Sequence, residues 1–360
     1  MSHFRLLKQT RQMTEYSCGA SALQSVFSYW GQEMEEEALM RLLGTNPEVG
    51  TFPQDLVRGA RALGFDAEMK ENSSLDDLER FTSAGHPVIA LGQVWRSEKD
   101  TPESAADEWD CGHYIVVLSV DADYVYFQDP YIRMGKGFVP RSAFDEHWHQ
   151  IMGGIAHARS AEMHRVAIFI KGNESAIRPG TDQFDLSKLD LSQLGSIDLI
   201  SIHFPRYLLP FDFLAELKQL FEGGLVRPDA FAITRKDSEG RISGMQGGRL
   251  EDGEDVVEVN ALIAALAAQA RGDTAEIRTS AKAAARAAGA GDFGLSADDL
   301  RRRAERLRPG HSEVVVLLEN RWESRFNDVT RRHGGTVAEQ KMISAAALAK
   351  MGGWIVPSTV

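Results

Sequence analysis

Apolar residues at Leu23, Val26, Phe27 and Trp30 fall at i, i+3, i+4 and i+7, one face of an amphipathic helix over residues 19–30. Gly31 follows as a terminator. The rhythm later changes to that of strands. Tyr114 to Val120 is apolar and β-branched, Asp121-Ala122-Asp123 is a turn, and Tyr124 to Gln128 is a second strand. If the turn centres on Asp121, residues 113 and 129 lie directly opposite one another; a slip of about one residue makes them diagonal neighbours.

The pattern breaks between residues 172 and 196. Pro179, Gly180, several serines and the Asp185-Leu186 and Asp190-Leu191 repeats read as an extended, partly docked linker. Residues 1–171 and 197–360 are therefore expected to be two domains. The second reads as a strand at 197–204, a helix at 211–221, a strand at 230–235, a turn at 237–240 and an Ala-rich helical region at 256–288. A strand at 314–318, a helix at 321–332, a short strand at 336–338 and a helix at 344–351 follow. Two β-α-β units separated by a helical insertion predict a ferredoxin-like α+β sandwich, suited to oligomerisation or partner docking. This half resembles a family of small bacterial domains of unknown function, on the segments from Ile197 to Ile202 and Val315 to Trp322.

The chemistry concentrates in the first half. Cys18 stands at the start of the first helix, where unpaired N–H groups and the helix dipole favour a thiolate. Gly19 keeps the approach to the sulfur open. His113 heads the strand that begins at Tyr114, and Asp129 follows the end of its partner strand. The imidazole can shuttle a proton while the carboxylate fixes its tautomer. Gln12, six residues before Cys18, can join the Cys18 backbone N–H in holding an oxyanion; Gln9 is a less well-spaced substitute.

The order Gln12, Cys18-Gly19, apolar helix, His113-Tyr114, Asp129-Pro130 resembles the bacteriocin-processing, or double-glycine leader, peptidases of the papain-like superfamily. The intervening elements are similar too: a helix at 51–64 with Pro53 near its start and Gly64 at its end, a helix at 75–84 and a strand at 88–91. The resemblance covers roughly residues 5–170. It implies a papain-like fold with Cys18 as nucleophile, His113 as base, Asp129 as orienting acid and Gln12 as oxyanion donor. Ser17 departs from the acidic residue that many members carry before the cysteine, and a charged insertion at 96–110 precedes His113.

Composition narrows the partners. A 360-residue chain with 43% hydrophobic and 26% charged residues is that of a globular protein of two domains. A formal net charge of -12 argues against binding nucleic acid or an anionic membrane surface. Cys18 and Cys111 do not make a disulfide framework. The first nine residues lack the apolar core of a secretory signal, and residues 256–270 are interrupted by Glu258, Asn260 and Gln269, too short and polar to span a bilayer. A cytoplasmic location and no cofactor are expected. His147 and His149 offer two metal ligands without a third, so Trp148 is read as a core anchor. Arg301, Arg302, Arg303, Arg306 and Arg308, interspersed with acids, read as a solvated helix face. Cys111 reads as a buried small residue at a strand start, with a redox bridge to Cys18 as the sharper alternative. The insertion at 96–110 is either an acidic rim to the cleft or a plain connector.

The expectation is an α+β chain, a papain-like cysteine peptidase domain followed by a ferredoxin-like domain, that cleaves peptides after small residues. The same triad also serves an acyltransferase or deamidase, and a silent peptide-binding module remains the non-enzymatic alternative.

Overall fold

The fold is that of a computed structural model, which describes residues 7, 10–93, 109, 112–131, 135–151, 162–172, 197–206, 224–248 and 297–335. Helix α1 (Cys18–Tyr29) buries Ala22, Leu23, Val26 and Phe27, and Phe27 stacks on Phe65 with ring centroids 4.4 Å apart. Gly31, at φ 80°, ends it as expected. Helix α2 (Glu36–Leu43) closes on Gly44 at φ 69°, a left-handed position that suits glycine. Helix α3 (Pro53–Ala62) starts on proline, whose missing N–H costs nothing there. Strand β1 (Asp66–Lys70) leads to α4 (Leu75–Ser83), which a capping box between Ser74 and Asp77 starts. Strands β2 (Val88–Gln93), β3 (Gly112–Val120), β4 (Tyr124–Gln128) and β5 (Lys136–Pro140) follow. The first half ends with α5 (Arg141–Glu146), β6 (His149–Ile151), β7 (Glu162–His164) and β8 (Val166–Lys171). In the second half the described elements are β9 (Ile197–Phe204), β10 (Arg227–Lys236), β11 (Ile242–Gly248), α6 (Ala297–Arg306), β12 (His311–Glu319) and α7 (Arg321–Arg332).

Ten strands form one sheet in the order β1-β8-β2-β3-β4-β5-β11-β10-β12-β9, and every pairing in it is antiparallel. One face carries a single apolar cluster that takes Leu23 of α1, Leu39 of α2, Leu56 of α3 and Leu300 of α6. Burying each of these leucines stabilises the fold by roughly 1.5–3 kcal/mol. The other face packs Leu78 of α4 and Phe144 of α5 around Trp148, whose indole N–H donates to the Val166 carbonyl at 2.9 Å. Trp148 is thus the core anchor read from the sequence.

The halves meet where β5 pairs with β11, Lys136, Gly137 and Phe138 standing opposite Gln246, Met245 and Gly244. The joint is built on missing side chains. A Cβ at Gly137 would lie 2.7 Å from the Gly244 carbonyl oxygen, and one at Gly244 would lie 2.7 Å from Cε1 of Phe138. The first obstacle is backbone and cannot rotate away. Gly137→Ala is therefore expected to cost about 1–3 kcal/mol through overpacking. Thermal unfolding of the two proteins checks it; an unchanged Tm would mean that the joint is loose. Across the same joint Arg301 reaches Tyr126 Oη at 2.8 Å and Asp121 Oδ2 at 3.4 Å. Arg302, Arg306 and Arg308 are exposed as the basic run predicts, whereas Arg301 is not solvated in that way, because Leu300 and Ala304 seat α6 on the sheet and turn Arg301 toward the first half.

Strand β12 lies between β10 and β9 and is antiparallel to both. Strand β11 is an addition that the sequence did not suggest. The expected helices at 211–221, 256–288 and 344–351, the strand at 336–338, the linker beyond Gly172, the insertion apart from Trp109, and Cys111 lie outside the described residues.

Candidate active site

Cys18 is the first residue of α1, and the N–H groups of Gly19 and Tyr114 point at its sulfur. Two contacts fix this helix end. A Cβ on Gly19 would lie 3.1 Å from Cδ2 and Cε2 of Tyr114 and 3.2 Å from Thr51 Cβ, so glycine lets the Tyr114 ring close over the helix start. The Tyr114 hydroxyl then donates to the Thr51 carbonyl at 2.8 Å. The glycine's role is wider than the open approach read from the sequence: it also admits the ring that holds β3 against α1.

His113 precedes that tyrosine in β3 and is buried. Its Nε2 lies 2.7 Å from Asp129 Oδ1, which also accepts the Tyr131 N–H at 2.8 Å. The Asp129 N–H donates to the Gly135 carbonyl at 2.8 Å and anchors the turn that carries it. The ladder pairs Val116 with Gln128 and Val117 with Phe127, then shifts between Val117 and Ser119. Continued past Gln128, that register sets Asp129 across from Ile115, so His113 and Asp129 are diagonal neighbours rather than direct ones. The slip that the sequence left open starts at the turn, where Val120 pairs with Val125 and the centre lies past Asp121; the irregularity near Leu118 takes back part of it.

With Nε2 on the carboxylate, Nδ1 is the imidazole nitrogen left for Cys18, and the two side chains hydrogen-bond. Burial pushes the Cys18 thiol up. The hydrogen bond and charge of His113, aided by the two N–H groups, outweigh it and bring the thiol below its ordinary value. Burial pulls His113 down, but the charge and hydrogen bond of Asp129, with Cys18 beyond, hold it above the ordinary imidazole range. The arrangement favours a thiolate beside an imidazolium, a nucleophile and proton donor in contact.

Gln12 is buried and shares this corner. Its N–H donates to the Pro130 carbonyl at 2.8 Å, which ties the segment before Cys18 to the residue after Asp129. Its side-chain Nε2 donates to the Thr14 carbonyl at 2.8 Å, and Oε1 is buried without a partner. Reversing the amide would set two oxygens against each other, so the orientation is determined and one N–H of the carboxamide stays uncommitted. The four residues Cys18, His113, Asp129 and Gln12 thus come to one place, while Gln9 lies outside the described residues. Sequence reasoning did not single out two further groups here: Tyr114, except as part of a motif, and Glu36, which accepts the Met13 N–H at 2.9 Å.

Residues 7–159 match the Peptidase C39 family. The pediocin PA-1 transport/processing ATP-binding protein PedD of Pediococcus acidilactici is 26% identical over 142 residues, 39% of this chain and 17% of that protein. The transport/processing ATP-binding protein ComA of Streptococcus pneumoniae strain ATCC BAA-255 / R6 is 28% identical over 138 residues, 38% of this chain and 17% of that protein. The matched region thus spans less than a fifth of these relatives. Among solved structures, the peptidase domain of Streptococcus ComA is 20% identical and covers 46% of this chain and 99% of that chain, with a TM-score of 0.34. A double glycine motif protease from an AMS/PCAT transporter, in complex with the leader peptide, is 18% identical and covers 48% of this chain and 94% of that chain, with a TM-score of 0.33. No helix among the described residues is long and apolar enough to cross a membrane. The order of the motif residues and the family match agree: residues 7–159 are a cysteine peptidase domain of the C39 family.

Proposed function

We propose that this domain cleaves a peptide bond through a thioester on Cys18. The observation that carries the reading is the imidazole of His113, held by Asp129 on one nitrogen and hydrogen-bonded to Cys18. The thiolate attacks the scissile carbonyl carbon, and the C–O π electrons move onto oxygen. The Cys18 backbone N–H and the free N–H of the Gln12 carboxamide receive that oxyanion. Collapse expels the amine, which takes its proton from His113. Water, deprotonated by the same imidazole, then attacks the thioester and releases the acid and the thiolate. Asp129 keeps Nδ1 turned to the sulfur throughout.

The substrate class follows from likeness. Two relatives are transport/processing ATP-binding proteins, and the motif order resembles that of the double-glycine leader peptidases. We therefore assign a peptide or protein substrate with small residues just before the cut. A cytoplasmic setting suits a free thiolate nucleophile. The second half is proposed to be a ferredoxin-like domain that docks a partner or a second copy; the β9-β12-β10 order, with the central strand antiparallel to both neighbours, supports it. The domain division at 171/197 goes with that reading.

The test is product mass. Peptides with Gly-Gly before the cut, incubated with wild type and Cys18→Ala, should yield two fragments whose masses sum to peptide plus one water, with wild type alone. Fragments carrying an added amine instead would assign acyl transfer. An uncut peptide would leave a binding module.

A further inference from the structure

Glu36 is a carboxylate buried to 4% exposure in the first turn of α2, and its Oε1 accepts the Met13 N–H at 2.9 Å. The nearby Ser17 hydroxyl favours its charged form. That hydroxyl donates to the Thr14 carbonyl at 3.2 Å. The Thr14 N–H donates to the same hydroxyl oxygen at 3.0 Å. Met13 follows Gln12, and Ser17 precedes Cys18. Glu36 therefore holds the short segment between the oxyanion donor and the nucleophile at the residue next to Gln12, from a different helix, and the Thr14–Ser17 pair closes the rest of the segment on itself.

We propose that Glu36 is a positioning residue that sets the Gln12 carboxamide relative to Cys18. The inference rests on the peptidase reading. Gln12 is pinned on its own N–H by Pro130, and Glu36 pins the next N–H. Without the second anchor the segment keeps one hold and can rotate about Gln12, which carries the carboxamide away from the developing oxyanion. The carboxylate is not needed for this turn of α2 alone, since Glu37 occupies the same turn in solvent and pairs with Arg41 at 3.6 Å. Burial pushes the Glu36 carboxyl up, a cost that the Met13 N–H and the Ser17 hydroxyl offset in part.

The test compares Glu36→Ala, Glu36→Gln and Glu37→Ala with wild type, using kcat per alkylatable Cys18. Iodoacetamide reports the thiolate without an oxyanion, so it separates misplacement of Gln12 from collapse of the site. Glu36→Ala should lose about 10- to 100-fold in kcat, as for a displaced catalytic group, with KM and Cys18 alkylation each within about 3-fold of wild type. Glu36→Gln keeps an acceptor for the Met13 N–H and should recover to within about 5-fold. Glu37→Ala should match wild type. Equal kcat in Glu36→Ala and wild type overturns the inference alone, as does an alkylation rate that falls as far as kcat or a Gln variant as weak as the Ala variant. A wild type no faster than Cys18→Ala overturns the peptidase reading and this inference with it.

Discussion

Cys18→Ala is expected to abolish peptide cleavage, with kcat falling on the order of a millionfold, the loss seen when a covalent nucleophile is removed. The substitution removes one sulfur from a helix start and leaves the apolar face of α1 untouched, so the fold should survive. The Tyr114 ring, the Tyr114–Thr51 hydrogen bond and the Gly19 contact do not involve that sulfur. The check is a rate measurement beside a thermal melt: no cleavage, with a Tm close to wild type. A variant that cleaves at the wild-type rate would remove Cys18 from the chemistry.

His113→Ala should be nearly as severe, a loss of roughly 10^5- to 10^6-fold in kcat, because it takes away both the base and the acid. It also makes a second, signed prediction. Burial raises the Cys18 thiol, and His113 is the main group that lowers it. With the imidazole gone, the thiol loses the main group that offsets burial and titrates higher than in wild type. Alkylation of Cys18 at neutral pH should slow, and its pH profile should move to higher pH. Asp129→Asn keeps the imidazole and should retain about 100-fold more activity than His113→Ala. An alkylation profile that stays in place in His113→Ala would mean that the thiolate is stabilised by the helix end alone.

The elements that carry the chemistry were legible because their signals are local. Leu23, Val26, Phe27 and Trp30 define α1, observed at Cys18–Tyr29 against an expected 19–30. β9 and α7 keep their expected bounds. The β3–β4 hairpin was legible, its register was not: Val120 pairs with Val125, so the turn centres past Asp121, and the ladder shifts again between Val117 and Ser119. Strand β11 was missed for a physical reason. Gly244, Gly247 and Gly248 weaken its strand propensity, yet glycine is what lets the Phe138 ring approach. Its pairing with β5 joins residues more than a hundred positions apart, and no window of sequence holds that information. Glu36 was hidden in the same way. In the sequence it is one acid among several at a helix start, and its partner Met13 is set by how α2 packs beside α1. The residue types of the site could be read from their order, whereas the orientation of Gln12 and what holds it could not.

The central claim is that Cys18 forms a covalent acyl bond while His113 and Asp129 activate it. Intact-mass measurement of the full chain treated with a Gly-Gly peptide vinyl sulfone, followed by peptide mapping, reads the activated nucleophile directly: the Cys18 thiolate adds to the vinyl β-carbon, the α-carbon takes a proton, and a stable thioether remains. With the vinyl sulfone, wild type should gain one inhibitor mass, mapped to the peptide containing Cys18; His113→Ala should gain it far more slowly and Cys18→Ala not at all. An adduct on another residue, or equal labelling of wild type and His113→Ala, would contradict the account.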